Sequence, residues 1–279
     1  MSVDIDVSSL PVPTDTALLK DGDWVPSVNF NERRPTVDLC GTEAMQSGFE
    51  LSPTVKIDLL LLHYTATPTN DYALQLLTTP EGGVSSHYLV DGRGRIIQMV
   101  AEKHRAWHAG EAEWAGETDI NSCSIGIEIQ NQGYALQRVP SYGEAQMVAV
   151  TELCADIVKR HKIKPHRVLG HSDVAPHRKQ DPGAHFDWAR LAKKGVGFWL
   201  GSDDVVDNKC PDLEEALLIE LQRKFVAIGY GIEITGELDQ RTVQVITAFQ
   251  RHYRTSKVDG MLDLQTIDHV DQLLGMIKA

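Results

Sequence analysis

Gly170-His171-Ser172-Asp173-Val174-Ala175-Pro176-His177-Arg178-Lys179-Gln180-Asp181-Pro182-Gly183 is the stretch around which the rest of the chain is organised. It carries two imidazoles, two carboxylates and an Arg-Lys pair, with two prolines and two glycines setting turns. Metal ligands must converge with little backbone freedom, and such turn residues restrict that freedom. A second donor lies far away in sequence: His63, at the end of Ile57-Asp58-Leu59-Leu60-Leu61-Leu62. From the residues alone, Asp173, His177, Asp181 and His185 all qualify as a third ligand beside His63 and His171.

Working outward, 279 residues correspond to one or two domains. A net charge of -12 argues against a nucleic-acid partner, which needs clustered Lys and Arg. Apolar runs are strand-length, so no transmembrane segment is expected. Met1 to Asp6 lacks the basic and apolar regions of a secretory signal. The chain as given therefore points to the cytoplasm; an export segment absent from it would point to the periplasm or envelope. Cys40, Cys123, Cys154 and Cys210 have no CxxC spacing and read as free or buried thiols.

The leucine run at 56–63 suits a strand covered on both faces. Residues 86–90 and 98–100 flank Asp91-Gly92-Arg93-Gly94 as a hairpin. Ser124 to Asn131 alternates with period two, with Ile125, Ile127 and Ile129 on one face and Gly126, Glu128 and Gln130 on the other. On that pattern alone Glu128 is a solvated strand position. Asn70 to Leu77 and Trp188 to Lys194 read as short helices. Ser141 to Lys162 reads as a longer one, its apolar stripe at Val150, Leu153, Cys154, Ile157 and Val158 and a capping box at Ser141 and Glu144. The expected class is α/β, a central mixed β-sheet flanked by helices, plus a small C-terminal three-helix domain.

Leu62-His63-Tyr64-Thr65, the Gly-His-Ser-Asp-x-x-Pro loop and Arg178-Lys179-Gln180-Asp181-Pro182-Gly183 together resemble the zinc-dependent N-acetylmuramoyl-L-alanine amidases of the amidase_2 family. That fold is shared with peptidoglycan recognition proteins. The resemblance implies one catalytic Zn2+ on His63, His171 and Asp181. It further implies Glu128 as general base and Lys179 as the cation facing the scissile carbonyl. His87, Trp107, His108 and Arg178 are the expected substrate contacts, Arg178 alternatively buttressing the loop, with Asp173 capping or orienting the loop. Trp114 either lines the groove or packs its loop. Asn29-Phe30-Asn31-Glu32-Arg33 resembles the segment preceding the first core strand in these amidases and reads as a structural arm. The implied substrate is peptidoglycan or a muropeptide, cleaved between the lactyl group of N-acetylmuramic acid and L-alanine. A non-catalytic recognition protein and a zinc peptidase cutting within the stem peptide are the rivals.

After the linker Gly201 to Asp204, Leu213 to Ile228 reads as a helix. Gly236-Glu237-Leu238-Asp239-Gln240-Arg241-Thr242 recurs 24 residues later as Gly260-Met261-Leu262-Asp263-Leu264-Gln265-Thr266. Each copy offers a turn glycine and an Asp N-cap, for helices from Asp239 to Tyr253 and from Asp263 to about Met276. With Leu221-Gln222-Arg223-Lys224-Phe225 and Ala248-Phe249-Gln250, this resembles the type 1 peptidoglycan-binding domain. The expected division is a catalytic domain over 1–202, with an N-terminal arm over 1–50, and a binding domain over 205–279 that tethers the enzyme to the wall.

Overall fold

A computed structural model describes residues 13, 15–20, 22–33, 56–136, 140–201 and 214–279. In chain order its strands are β1 (Phe30–Glu32), β2 (Leu59–Tyr64), β3 (Tyr88–Val90), β4 (Ile96–Gln98), β5 (His104–Ala106), β6 (Ser124–Ile129) and β7 (Val168–Gly170). Its helices are α1 (Asn70–Thr78), α2 (Ile120–Cys123), α3 (Glu144–His161), α4 (His171–Val174), α5 (Trp188–Lys193), α6 (Glu215–Ile228), α7 (Gln240–Tyr253) and α8 (Leu264–Lys278).

Leu59 to Leu62 are each 0% exposed because β2 lies inside the sheet and both faces are covered. The strand order is β4-β3-β6-β2-β7. β2 runs parallel to β6 and β7, β3 runs parallel to β6, and β4 closes the edge antiparallel to β3. The sheet is mixed, as the sequence predicts. The hairpin's second strand starts earlier, at Ile96, because the Asp91 carboxylate accepts the amides of Arg93 and Arg95 and closes the turn quickly.

Strand alternation decides which layer covers which face. Leu60, Leu62, Ile125, Ile127 and Ile129 pack on Val150, Leu153, Cys154 and Ile157 of α3 and Leu191 of α5. Leu59, Leu61 and Leu169 face the other way, in one cluster with Trp114, Val174 and Ala175 and with Phe225, Val245, Phe249 and Tyr253 of the C-terminal helices. The three predicted C-terminal helices are present, yet they share a core with the sheet. Residues 202–213, which contain most of the expected linker, its boundary near Val205 and Cys210, lie outside the described residues, as does Cys40.

α3 begins at Glu144 instead of Ser141, and its cap residue Gly143 makes no side-chain cap. The predicted capping box is absent because Arg190 takes the Glu144 carboxylate at 2.7 Å and 2.8 Å. The C-terminal repeat forms as expected. Asp239 accepts from the Thr242 amide and Asp263 from the Thr266 amide, each such cap contributing about 1 kcal/mol. The repeated glutamines also match in their contacts. Gln222 Oε1 accepts the Gly236 amide and Gln250 Oε1 the Gly260 amide, pinning each left-handed turn to the preceding helix.

β1 pairs antiparallel with β5 and delivers Arg33 into the interior, where its guanidinium donates to the carbonyls of Glu102, Asn121, Ser122 and Ser124. The arm is structural, as its sequence suggests. Nearby, the Glu102 side chain is 4% exposed and accepts from Tyr88, Arg160 and His161. Burial alone would raise its pKa; these hydrogen bonds outweigh burial and hold it at about 2. A carboxyl with a folded pKa below its unfolded value stabilises the fold above the unfolded pKa and loses that contribution as pH falls through the folded one. The contribution is on the order of 3 kcal/mol. In urea unfolding at stepped pH, the stability gap between wild type and Glu102→Gln should close as pH falls from about 5 toward 2. A gap constant across that window would contradict the assignment.

Candidate active site and metal centre

The parallel strands β3, β6, β2 and β7 all end on one side of the sheet, the usual place for a ligand crevice in such sheets. His63 and Glu128 are register partners on β2 and β6, so their side chains leave the same face on strands about 4.8 Å apart. Leu62 pairs with Gly170 at the end of β7, which brings His171 in beside His63. His171 opens the one-turn helix α4, where a loop is expected. The chain then returns: the Ser172 amide donates to the Asp181 carbonyl at 3.0 Å, binding the two ligand-bearing segments together.

The result is a buried cluster of His63, His171 and Asp181 that could hold a metal ion. His63 Nδ1 and His171 Nδ1 are 2.9 Å apart, and each lies 3.0 Å from Asp181 Oδ2. Tetrahedral ligands about 2.0–2.1 Å from one zinc stand roughly 3.3 Å apart, so the donors need little movement to take it. The opposite ring nitrogens are already engaged. His171 Nε2 donates to the Ala109 carbonyl at 2.9 Å. His63 Nε2 donates to His108 Nδ1 at 3.1 Å; His108 Nε2 donates to Ser124 Oγ, whose hydroxyl donates to the Ile120 carbonyl. This network assigns both ligand Nδ1 atoms as lone-pair donors aimed inward.

Electrostatics agree with that assignment. Burial, with His171 close by, pushes the His63 pKa down to about 4, so its imidazole is neutral near pH 7. Burial works to raise the Asp181 pKa, but His171 and His63 hold its carboxyl well below the usual range. Glu128 is pushed up to about 8 by burial and by the Asp181 carboxylate, against the opposing pull of Lys179. Its Oε2 is buried with no hydrogen-bond partner. Lys179 is half-buried, and its positive charge opposes the upward shift of Glu128 and adds to the downward shift of His63.

Comparison with known proteins accords with this geometry. The family model for N-acetylmuramoyl-L-alanine amidase matches residues 53–184, and a peptidoglycan binding domain model matches residues 214–270. The chain is 36% identical over 236 residues to the N-acetylmuramoyl-L-alanine amidase AmiD of Escherichia coli, covering 78% of this chain and 83% of AmiD. The chain belongs to the N-acetylmuramoyl-L-alanine amidase family. AmiD solved with anhydro-N-acetylmuramic acid-L-Ala-D-gamma-Glu-L-Lys superimposes with a TM-score of 0.69 at 32% identity, over 89% of this chain and 98% of that one. AmpDh3 of Pseudomonas aeruginosa with an anhydromuramic pentapeptide gives 0.68 at 30%, over 87% and 98%.

Within the family site, the expected substrate contacts need correction. His87 is fully buried: Gly126 N–H donates to its Nδ1 and its Nε2 donates to the His104 carbonyl. Burial pushes its pKa to about 3, so it is a neutral structural group. His108 is also buried and serves as the acceptor behind His63. Arg178 has its guanidinium on the Ala109 and Glu111 carbonyls and so braces the turn that accepts from His171. Trp107 remains half-buried, its indole N–H on Asn31 Oδ1. Trp114 is buried against Tyr230 at a ring distance of 4.9 Å, so it packs and does not line a groove.

Gly126 and the Ala109 carbonyl are contributors that sequence reasoning passes over. A Cβ at Gly126 would stand 2.5–2.7 Å from the His108 ring. The available signal was Gly126 two residues before Glu128 on the same strand face. Gly126→Ala should displace His108, free His63 Nε2 and weaken metal binding by about tenfold to a hundredfold. Competition with a chelator on the folded variant measures this; unchanged affinity would exclude the His108 role.

Proposed function

We propose that this chain binds one zinc ion through His63 Nδ1, His171 Nδ1 and Asp181 Oδ2 and hydrolyses the amide between the lactyl group of N-acetylmuramic acid and the L-alanine of the stem peptide. The observation that carries this reading is the inward convergence of those donors beside Glu128. A recognition protein without catalysis needs neither an intact ligand set nor a desolvated carboxylate next to it. Two imidazoles and one carboxylate leave a coordination position open, the pattern of catalytic zinc. Zinc held there supplies Lewis acidity toward the carbonyl and a lowered pKa for water.

The residues divide the remaining work. Glu128, without a partner on Oε2, takes in its carboxylate form the proton of the attacking water and hands it to the departing amine. Lys179 faces the carbonyl oxygen as negative charge grows there. The C–N bond breaks, leaving a carboxylate on the lactyl group and a free amino group on L-alanine. The peptidoglycan binding domain match supports polymer as a substrate alongside soluble muropeptides.

Intact sacculi and a 1,6-anhydro muropeptide, digested in parallel and analysed by mass spectrometry, should both release peptides beginning with L-alanine. Chelator should abolish release and zinc restore it. Glu128→Gln should lower kcat by about 10²–10⁴ while zinc content holds. Cleavage inside the stem peptide, or wall binding with no release under any metal condition, would contradict the proposal.

A further inference from the structure

Asp173 follows the ligand His171 by two residues, and its side chain is 0% exposed. Three donors reach it. One is local: Gly170 N–H, at the root of His171, donates to Oδ2 at 2.8 Å. The other two come from the C-terminal helical unit. Tyr230 Oη donates to Oδ1 at 2.8 Å, and His252 Nδ1 donates to Oδ2 at 2.7 Å.

Both distant donors are themselves held firmly. Tyr230 lies against Trp114 and Phe225 with ring centroids at 4.9 Å and 5.6 Å. His252 is stacked between Trp188 at 3.7 Å and Tyr253 at 3.9 Å. The grip continues at the other end of the same loop, where Arg241 Nη1 meets His177 Nδ1 at 3.0 Å. The Ala115 amide also donates to the Gly229 carbonyl at 2.7 Å, joining the two backbones. A wall anchor on a tether needs none of these contacts.

We infer that the C-terminal helical unit is a positioning element of the metal centre: Tyr230 and His252 fix Asp173, and Asp173 fixes the Gly170–His171 junction. The effect reaches both ligand segments. The junction is closely packed against the Asp181 segment, since a Cβ at Gly170 would meet Pro182 Cδ at 2.7 Å and the Asp181 carbonyl at 3.3 Å. The Ser172 amide bonds the same Asp181 carbonyl. A shift of Asp173 therefore moves the His171 ring and the Asp181 backbone together.

The test uses the full chain with Tyr230→Phe, which removes one oxygen and keeps the packing, His252→Leu, which removes the donor, and His252→Asn, which retains a donor near the Nδ1 position. Zinc affinity is read by chelator competition and ligand geometry by the visible spectrum of the cobalt(II)-loaded chain. Tyr230→Phe and His252→Leu should each weaken zinc binding roughly tenfold and alter the cobalt spectrum, with His252→Asn restoring both. On a soluble N-acetylmuramoyl-L-alanine peptide, kcat should fall with KM unchanged; this arm alone rests on the proposed amidase activity. Zinc affinity and cobalt spectra at wild-type values in Tyr230→Phe and His252→Leu would overturn the inference. If His252→Leu does not fold, Tyr230→Phe decides. A wild-type chain that binds zinc but releases no peptide contradicts the amidase reading, and the zinc comparison still decides this one.

Discussion

Two buried imidazoles can aim lone pairs at one point only when each donates its other N–H elsewhere. In this protein that requirement is met by the Ala109 carbonyl for His171 and by His108 for His63. Much of the surrounding structure follows from it. Gly126 is small because the His108 ring occupies the space above it. Asn121 is buried because its Oδ1 accepts the amides of His108 and Ala109 and fixes that turn. Arg178 holds the same turn through the Glu111 and Ala109 carbonyls. The desolvation that keeps His63 neutral also raises Glu128, one burial acting in opposite directions on an imidazole and a carboxyl.

The two faces of the sheet carry different burdens. The face bearing the isoleucines of β6 builds a conventional core with α3. The opposite face bears His63 and Glu128; its Leu59, Leu61 and Leu169 share a cluster with the C-terminal helices, while Leu89 and Ile97 pack against Ala73 and Leu77 of α1. A helical unit that resembles a wall-binding module thus completes the burial of the catalytic sheet. Burial of large apolar side chains is worth about 1.5–3 kcal/mol each, so this docking belongs to the fold's stability.

What the sequence made legible was whatever follows from periodicity or from short local motifs. The leucine run, the alternation around Glu128, the stripe of α3 and the two Gly-x-Leu-Asp turns all appear where expected. So does the meeting of His63, His171 and Asp181, which rested on resemblance, since spacing alone left four candidates for the third ligand. Long-range partners were not legible. His87 and His108 looked like cleft residues because a polar ring near a motif carries no mark of being buried behind it. Ser141 looked like a cap because local signals say nothing of Arg190 arriving from 46 residues away to claim Glu144. Tyr230 and His252 stand 57 and 79 residues beyond Asp173, and nothing local announces that they converge on it.

The proposed metal shell consists of two imidazoles and one carboxylate, with His108 standing behind it. Zinc K-edge X-ray absorption on the zinc-loaded full chain tests this directly. The expected spectrum shows a shell of light atoms near 2.0–2.1 Å with multiple scattering from two imidazoles, falling to one in His171→Ala. A third imidazole in the shell, or a sulfur near 2.3 Å, would contradict it.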